Sequence, residues 1–195
     1  EQGQLERHKV LVIAPTSLLT NWQKELRRFA PDLQTHIYHG GNRSLPRPEH
    51  QVILTSYGLA RSDQKALARI PWRTLVLDEA QNIKNPGANQ TRTIKQYRAD
   101  IRIAMSGTPV ENRLSEYWSL FDFVNRGYLG TQKQFGDEFA APIERERDQQ
   151  SLQRFRRITA PFILRRLKTD RNIISDLPQK IEGTRYCALS PTQGA

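Results

Sequence analysis

The sequence predicts an α/β domain built on a mainly parallel sheet with helices on both faces. Short apolar runs rich in β-branched residues alternate with segments of helical spacing, the pattern of βαβ units. These runs are apolar throughout rather than alternating, which suits strands covered on both faces. Four of them end in polar clusters: Pro15-Thr16-Ser17, Thr55-Ser56, Asp78-Glu79 and Ser106-Gly107-Thr108. In open parallel sheets that edge is where ligands bind.

Val10 to Ala14 is the first predicted strand, and Pro15-Thr16-Ser17 breaks it. Leu18, Leu19, Trp22, Leu26 and Phe29 then fall at helical spacing, with Thr16 or Ser17 placed to cap. Thr35 to Tyr38 reads as a short strand closed by His39-Gly40-Gly41, and Gln51 to Thr55 as the next. An irregular helix is expected from about Tyr57 to Arg69, then a boundary at Pro71-Trp72. Thr74 to Leu77 is a buried strand running into Asp78-Glu79. Asn89 to Tyr97 is helical, Ile101 to Met105 a strand, and Ser106-Gly107-Thr108-Pro109 a tight turn. Ser115 to Val124 is a helix, and most of the chain to Leu167 is expected to be helical, with an exposed helix over Gly136 to Gln150. Thr184 to Leu189 reads as a final strand.

Composition narrows the function classes. With 37% hydrophobic residues the chain of 195 can bury a core, so full disorder is excluded. No apolar run approaches the roughly 20 residues that span a bilayer, and the polar start from Glu1 to Lys9 is unlike a secretory signal. One cysteine, Cys187, excludes a disulfide framework within the chain. A reducing, cytoplasmic setting without a membrane partner is the expectation. The 30 Lys and Arg against 20 Asp and Glu leave a charge of +10, which points to nucleic acid. The charge concentrates between Ser151 and Arg171, where Arg154, Arg156, Arg157, Arg165, Arg166, Lys168 and Arg171 face Asp170 alone. That run is either a solvated helix face or a polyanion contact.

Asp78-Glu79-Ala80-Gln81 follows a buried apolar strand. Two adjacent carboxylates raise one another's pKa unless a cation relieves the repulsion. In nucleotide hydrolases an acid so placed holds Mg²⁺ and its neighbour orients the attacking water. A pair of surface acids is the plain alternative. Ser106-Gly107-Thr108-Pro109 places two hydroxyls around a glycine that permits close backbone approach. Alone it is an ordinary turn; paired with the acidic tetrad it becomes specific. Trp22 and Trp118 are expected to pack in cores, and His36, His39 and His50 lack partners at metal-ligand spacing.

At these residues the chain resembles the first lobe of Swi/Snf-type ATPases, the DNA-translocating branch of helicase superfamily two. Leu11 to Trp22 is similar to motif Ia of that family, Val52 to Tyr57 to motif Ib, and Asp78 to Pro86 to motif II. Met105 to Asn112, continued by Trp118-Ser119-Leu120-Phe121, resembles motif III. Phe162 to Asp170 with Leu177-Pro178-Gln179-Lys180 resembles the brace toward the second lobe. The resemblance implies a RecA-like, P-loop NTPase-type fold with a C-terminal helical brace. It divides the chain into a lobe over 1–130, a helical extension over 131–180 and the start of a connection over 181–195. Gln81 and the Ile173 to Pro178 ending point to a bacterial or archaeal member.

The same resemblance implies ATP and Mg²⁺ as cofactors and double-stranded DNA as partner, with DNA-bound proteins or RNA polymerase as further ones. Asp78 would act on Mg²⁺ through a water and Glu79 would polarise the attacking water. Gln81, where many relatives carry His, would bind near the nucleotide and couple to motif III. Ser106 and Thr108 would relay the nucleotide state to the DNA surface. Thr16, Ser17, Thr55, Ser56 and Lys84 would touch the DNA backbone, which sets register without reading sequence. Arg165 and Arg166 would either pack in the brace or contact DNA. No G-x-x-x-x-G-K-[ST] phosphate loop occurs in the 195 residues. The chain is therefore expected to be a piece of a longer ATP-dependent DNA translocase and to lack ATPase activity alone. The rival expectations are an RNA or DNA helicase of the same superfamily, and a non-catalytic module that binds nucleic acid.

Overall fold

The computed structural model describes residues 9–107, 113–165 and 183. Two compact units are present, residues 1–155 and residues 156–195. The first is built on five parallel strands in the order β2-β3-β1-β4-β5. They are β1 (Lys9–Ala14), β2 (Thr35–Tyr38), β3 (Val52–Ser56), β4 (Trp72–Leu77) and β5 (Ala99–Ala104). The helices are α1 (Leu19–Phe29), α2 (Tyr57–Ser62), α3 (Gln64–Leu67), α4 (Asn89–Lys95), α5 (Leu114–Val124), α6 (Gln132–Phe135), α7 (Ala141–Arg145) and α8 (Gln149–Thr159). The expected strands over 10–14, 35–38, 51–55, 74–77 and 101–105 all exist, because each is a short, bounded apolar run. The strand expected at 184–189 lies outside the described residues.

Parallel register sorts the apolar side chains into two layers. Val12 pairs with Leu54 on one side and Val76 on the other, and these three point to one face. There α1 lays Leu19, Trp22 and Leu26 over them. Leu11, Ile13, Ile53, Leu75 and Leu77 point to the opposite face, under Tyr57 and Ala60 of α2, Ile94 of α4 and Leu120 and Phe123 of α5. Full burial of such a side chain stabilises the fold by ~1.5–3 kcal/mol. The expected single helix after β3 is broken at Asp63 into α2 and α3. Asp63 accepts from the Tyr38 hydroxyl at 2.8 Å and from Arg43 Nε at 2.6 Å, so it is spent on the loop after β2.

The return from β2 to β3 contains no helix. Lys9 ties it down, with Nζ donating to the carbonyls of Arg47, Pro48 and His50 at 2.9, 3.1 and 2.6 Å. Strand β5 is the sheet's last strand among the described residues, and its face on the α1 side is uncovered. Ile101, Ile103 and Met105 are 45%, 43% and 37% exposed there.

Beyond α5 the chain differs from the exposed helix expected over 136–150. Thr131 and Gln134 form a reciprocal capping box that starts α6. A π-helical turn, Gly136–Ala140, follows and turns Phe139 inward. Phe139, Phe135 and Phe155 pack together with ring centroids 5.7 to 5.8 Å apart. The burial of that phenylalanine set outweighs the charged pattern around it. The helical run stops at Arg145, and Asp148 begins α8 by accepting from the amides of Gln150 and Ser151. In the second unit the described residues are the end of α8, a 3₁₀ turn at Ala160–Phe162, residues 163–165 and Gly183. Arg166, Lys168, Arg171 and Cys187 fall outside them, as does the brace ending.

Candidate active site

Because all five strands are parallel, their carboxyl ends lie on one edge, and the polar clusters read from sequence gather there. Ala14 pairs with Ser56, Ile13 with Leu77, and Leu77 with Ala104. Backbone pairing continues past the strands: Asp78 N donates to Ile13 O at 2.9 Å, and Ala80 N to Met105 O at 2.8 Å. The acidic tetrad is thus stitched to the segment carrying Ser106.

Asp78 has both carboxylate oxygens engaged. Oδ1 accepts the Glu79 backbone N–H at 2.9 Å. Oδ2 accepts the indole N–H of Trp22 at 2.8 Å. Glu79 sits in the left-handed region, at φ 50° and ψ 53°. A residue with a Cβ is uncommon there and pays for it in steric strain. The Tyr57 hydroxyl braces this turn by donating to Asp78 O at 2.8 Å and Glu79 O at 3.4 Å. Burial pushes the Tyr57 phenol well above its ordinary range, and the Asp78 and Glu79 charges add to this, so the group stays a donor.

Gln81 joins the two motifs. Its Nε2 donates to Glu79 Oε2 at 2.7 Å, and its Oε1 accepts from Ser106 Oγ at 2.8 Å. An amide can do both at once because it carries a donor and an acceptor. The expected proximity of Gln81 and Ser106 is therefore present; Thr108 lies outside the described residues.

The residues expected to face DNA divide. Thr16 and Ser17 are exposed, in the 3₁₀ turn between β1 and α1. Lys84 follows the acidic tetrad and lies 3.8 Å from Glu116 of α5. Thr55 corrects the expectation. It is 0% exposed and its hydroxyl donates to Tyr38 O at 3.0 Å, so its side chain has no surface for a phosphate. Ser56 is also buried, and its Oγ accepts from Leu59 N at 3.3 Å as the cap of α2. Both hydroxyls terminate a strand and start a helix.

A divalent cation fits this site in a particular way. Among the described residues no group of three or more His, Cys, Asp or Glu could hold a metal. Asp78 still has lone pairs beyond the two N–H bonds it accepts. Mg²⁺ is commonly held by one or two carboxylates together with substrate phosphates and waters. The residues suit a cation arriving with nucleotide phosphates.

Sequence reasoning passed over Trp22 and Tyr57. Both stand in the segments that resemble motifs Ia and Ib, but Trp22 was expected to pack and Tyr57 to start a helix; both also hold the acid pair. Trp118, expected to pack in a core, is half-buried and in neither core cluster. It donates to Gly130 O at 3.1 Å and lies under the Lys95 ammonium. The rings of His36 and His50 stack with centroids 4.7 Å apart.

Comparison with known proteins agrees with this geometry. The SNF2-related domain family matches residues 1–195. The Bacillus subtilis protein YwqA, named as an ATP-dependent helicase/translocase, is 44% identical over 193 residues, which cover 95% of this chain and 21% of YwqA. The TATA-binding protein-associated factor mot1 of Schizosaccharomyces pombe is 39% identical over 199 residues, covering 94% of this chain and 10% of mot1. The Sulfolobus solfataricus SWI2/SNF2 ATPase core in complex with dsDNA superposes with a TM-score of 0.81 at 41% identity, covering 98% of this chain and 40% of that one. The chain thus spans a tenth to two fifths of the length of these relatives. With its RecA-like parallel sheet and the joined Asp78-Glu79-Ala80-Gln81 and Ser106 segments, the chain belongs to the SNF2-related domain family.

Proposed function

We propose that these residues are part of the first lobe of an ATP-driven translocase on double-stranded DNA, which remodels protein–DNA complexes. The observation that carries this reading is the continuous path from Ser106 through Gln81 to Glu79, beside Asp78, on the carboxyl edge of the sheet. Mg²⁺–ATP, when bound, would supply the phosphoryl group and the cation that neutralises its developing charge. Asp78 would help hold that cation through the lone pairs left over from its two N–H bonds. Glu79, held by Gln81 through one oxygen, presents the other to the attacking water. Ser106 and Gln81 tie that carboxylate to the segment entering α5, so a change on either side is felt on the other. Thr16, Ser17 and Lys84 would contact backbone phosphates; the side chains of Thr55 and Ser56 are buried and engaged within the fold. No G-x-x-x-x-G-K-[ST] sequence occurs among the 195 residues.

The test is ATP hydrolysis by the full-length protein with no nucleic acid, duplex DNA, single-stranded DNA or RNA, together with displacement of a third strand from a DNA triplex. Duplex-specific stimulation with triplex displacement supports the translocase. Stimulation by single strands or RNA, with duplex unwinding, supports a helicase instead. Salt-sensitive DNA binding without any turnover supports a non-catalytic binding module.

A further inference from the structure

The chain has three tryptophans. Trp72 donates its indole N–H to Leu67 O at 2.9 Å and Trp118 to Gly130 O at 3.1 Å. Those are the ordinary ways a packed indole satisfies its donor. Trp22 instead donates to a carboxylate, Asp78 Oδ2, across 56 positions of sequence. Its ring is fixed by packing against the cluster of Val12, Ala14, Leu54 and Val76, so the N–H has little freedom of direction.

Asp78 would otherwise be free to rotate its carboxylate. It stands at the end of β4, and the Glu79 N–H alone on Oδ1 leaves the plane of the group loosely set. A second donor on Oδ2, from a different element, pins it. The remaining lone pairs then point in one fixed pair of directions. An acid that meets a hydrated cation through such directions gains from being preorganised.

We propose that Trp22 is a positioning residue for Asp78, setting the carboxylate that meets the magnesium–nucleotide complex. It also joins that carboxylate to α1, whose preceding turn carries Thr16 and Ser17. A phosphate contact at that turn and the cation-facing acid are thereby two ends of one rigid element. This rests on the reading of Asp78 as the metal-facing acid.

The test uses the full-length protein without DNA and measures equilibrium binding of a fluorescent, slowly hydrolysed ATP analogue across a Mg²⁺ titration. Trp22→Phe removes the N–H and keeps an aromatic ring. Leu26→Ala is the packing control, since Leu26 lies against the same cluster and has no bond to Asp78. Asp78→Asn reports the acid itself. The expected result is a Mg²⁺ midpoint raised about tenfold in Trp22→Phe, with affinity at saturating Mg²⁺ little changed and the Leu26→Ala midpoint unmoved. Trp22→Leu, which also lacks a donor, serves if Trp22→Phe does not fold. A Trp22 variant with a wild-type midpoint, where Asp78→Asn is shifted, overturns the positioning role and leaves the reading of Asp78 intact. Equal shifts in Trp22→Phe and Leu26→Ala reduce Trp22 to packing. No shift in Asp78→Asn overturns the reading of Asp78 and this inference with it.

Discussion

Ser106 and Glu79 are joined through a single side chain, the amide of Gln81, which accepts from the serine hydroxyl and donates to the carboxylate. The two bonds use opposite ends of one amide, so a flipped group would set its oxygen against the Glu79 carboxylate and a lost one would break both bonds. Gln81→Ala should lower duplex-stimulated ATP hydrolysis about tenfold, a coupling of ordinary allosteric size, with nucleotide affinity nearly unchanged. Gln81→His, with one donor and one acceptor nitrogen, should recover part of it. Steady-state rates with and without duplex DNA read both. Full stimulation in Gln81→Ala would remove the relay.

The left-handed backbone at Glu79 should appear as a difference between two small residues. At φ 50° an alanine keeps the steric cost of its Cβ and a glycine does not. Glu79→Gly is therefore expected to be more stable than Glu79→Ala by about 1 kcal/mol, measured by urea denaturation. The reverse order would mean that the turn relaxes when the carboxylate is removed.

Asp63 makes the fold sensitive to acid. The hydrogen bond from Arg43, assisted by those from Tyr38 and Ser62, holds its carboxyl at about 2, below the ordinary 3.8. A depressed carboxylate stabilises the folded chain above its ordinary value, and that stabilisation fades as pH falls through the folded one. Stability should decline as pH falls from 3.8 toward 2. In Asp63→Asn that component of the decline should be missing, at the cost of lower stability at neutral pH. Denaturation midpoints against pH decide it.

Lys95 and Asp122 hold α4 to α5 with a 2.8 Å ion pair in which both side chains are mostly buried. Burial draws the Lys95 pKa down and Asp122 raises it back in part. Asp122→Asn leaves the ammonium with less compensation beneath the fold, though still over the Trp118 ring. A loss of about 2 kcal/mol is expected, with part recovered in Lys95→Met combined with Asp122→Leu. Additive single losses would argue against the pair.

The sheet was legible because its strands are short, rich in apolar residues and mostly ended by polar ones, although β2 and β5 carry polar residues within them. That is a local signal which parallel pairing does not alter. The acid pair and Ser106 were legible for the same reason, each standing at the end of such a run. Their connection through Gln81 was expected only from the family resemblance. Trp22 escaped because helical spacing reports which face of α1 is buried and says nothing of where an indole N–H points. Thr55 misled because a hydroxyl at a strand end looks the same in sequence whether it faces solvent or a neighbouring carbonyl. The π-helical turn at Gly136–Ala140 was hidden by the charges around Phe139.

The most direct measurement is duplex-stimulated ATP hydrolysis by full-length protein carrying Glu79→Gln, beside its DNA binding. The amide keeps the size of the side chain and removes the charge that would polarise water. The account predicts that stimulated turnover falls by about a hundredfold or more while nucleotide and duplex binding persist. Turnover near the wild-type rate in that variant would contradict the assignment of Glu79 and the reading of this edge of the sheet as the site of hydrolysis.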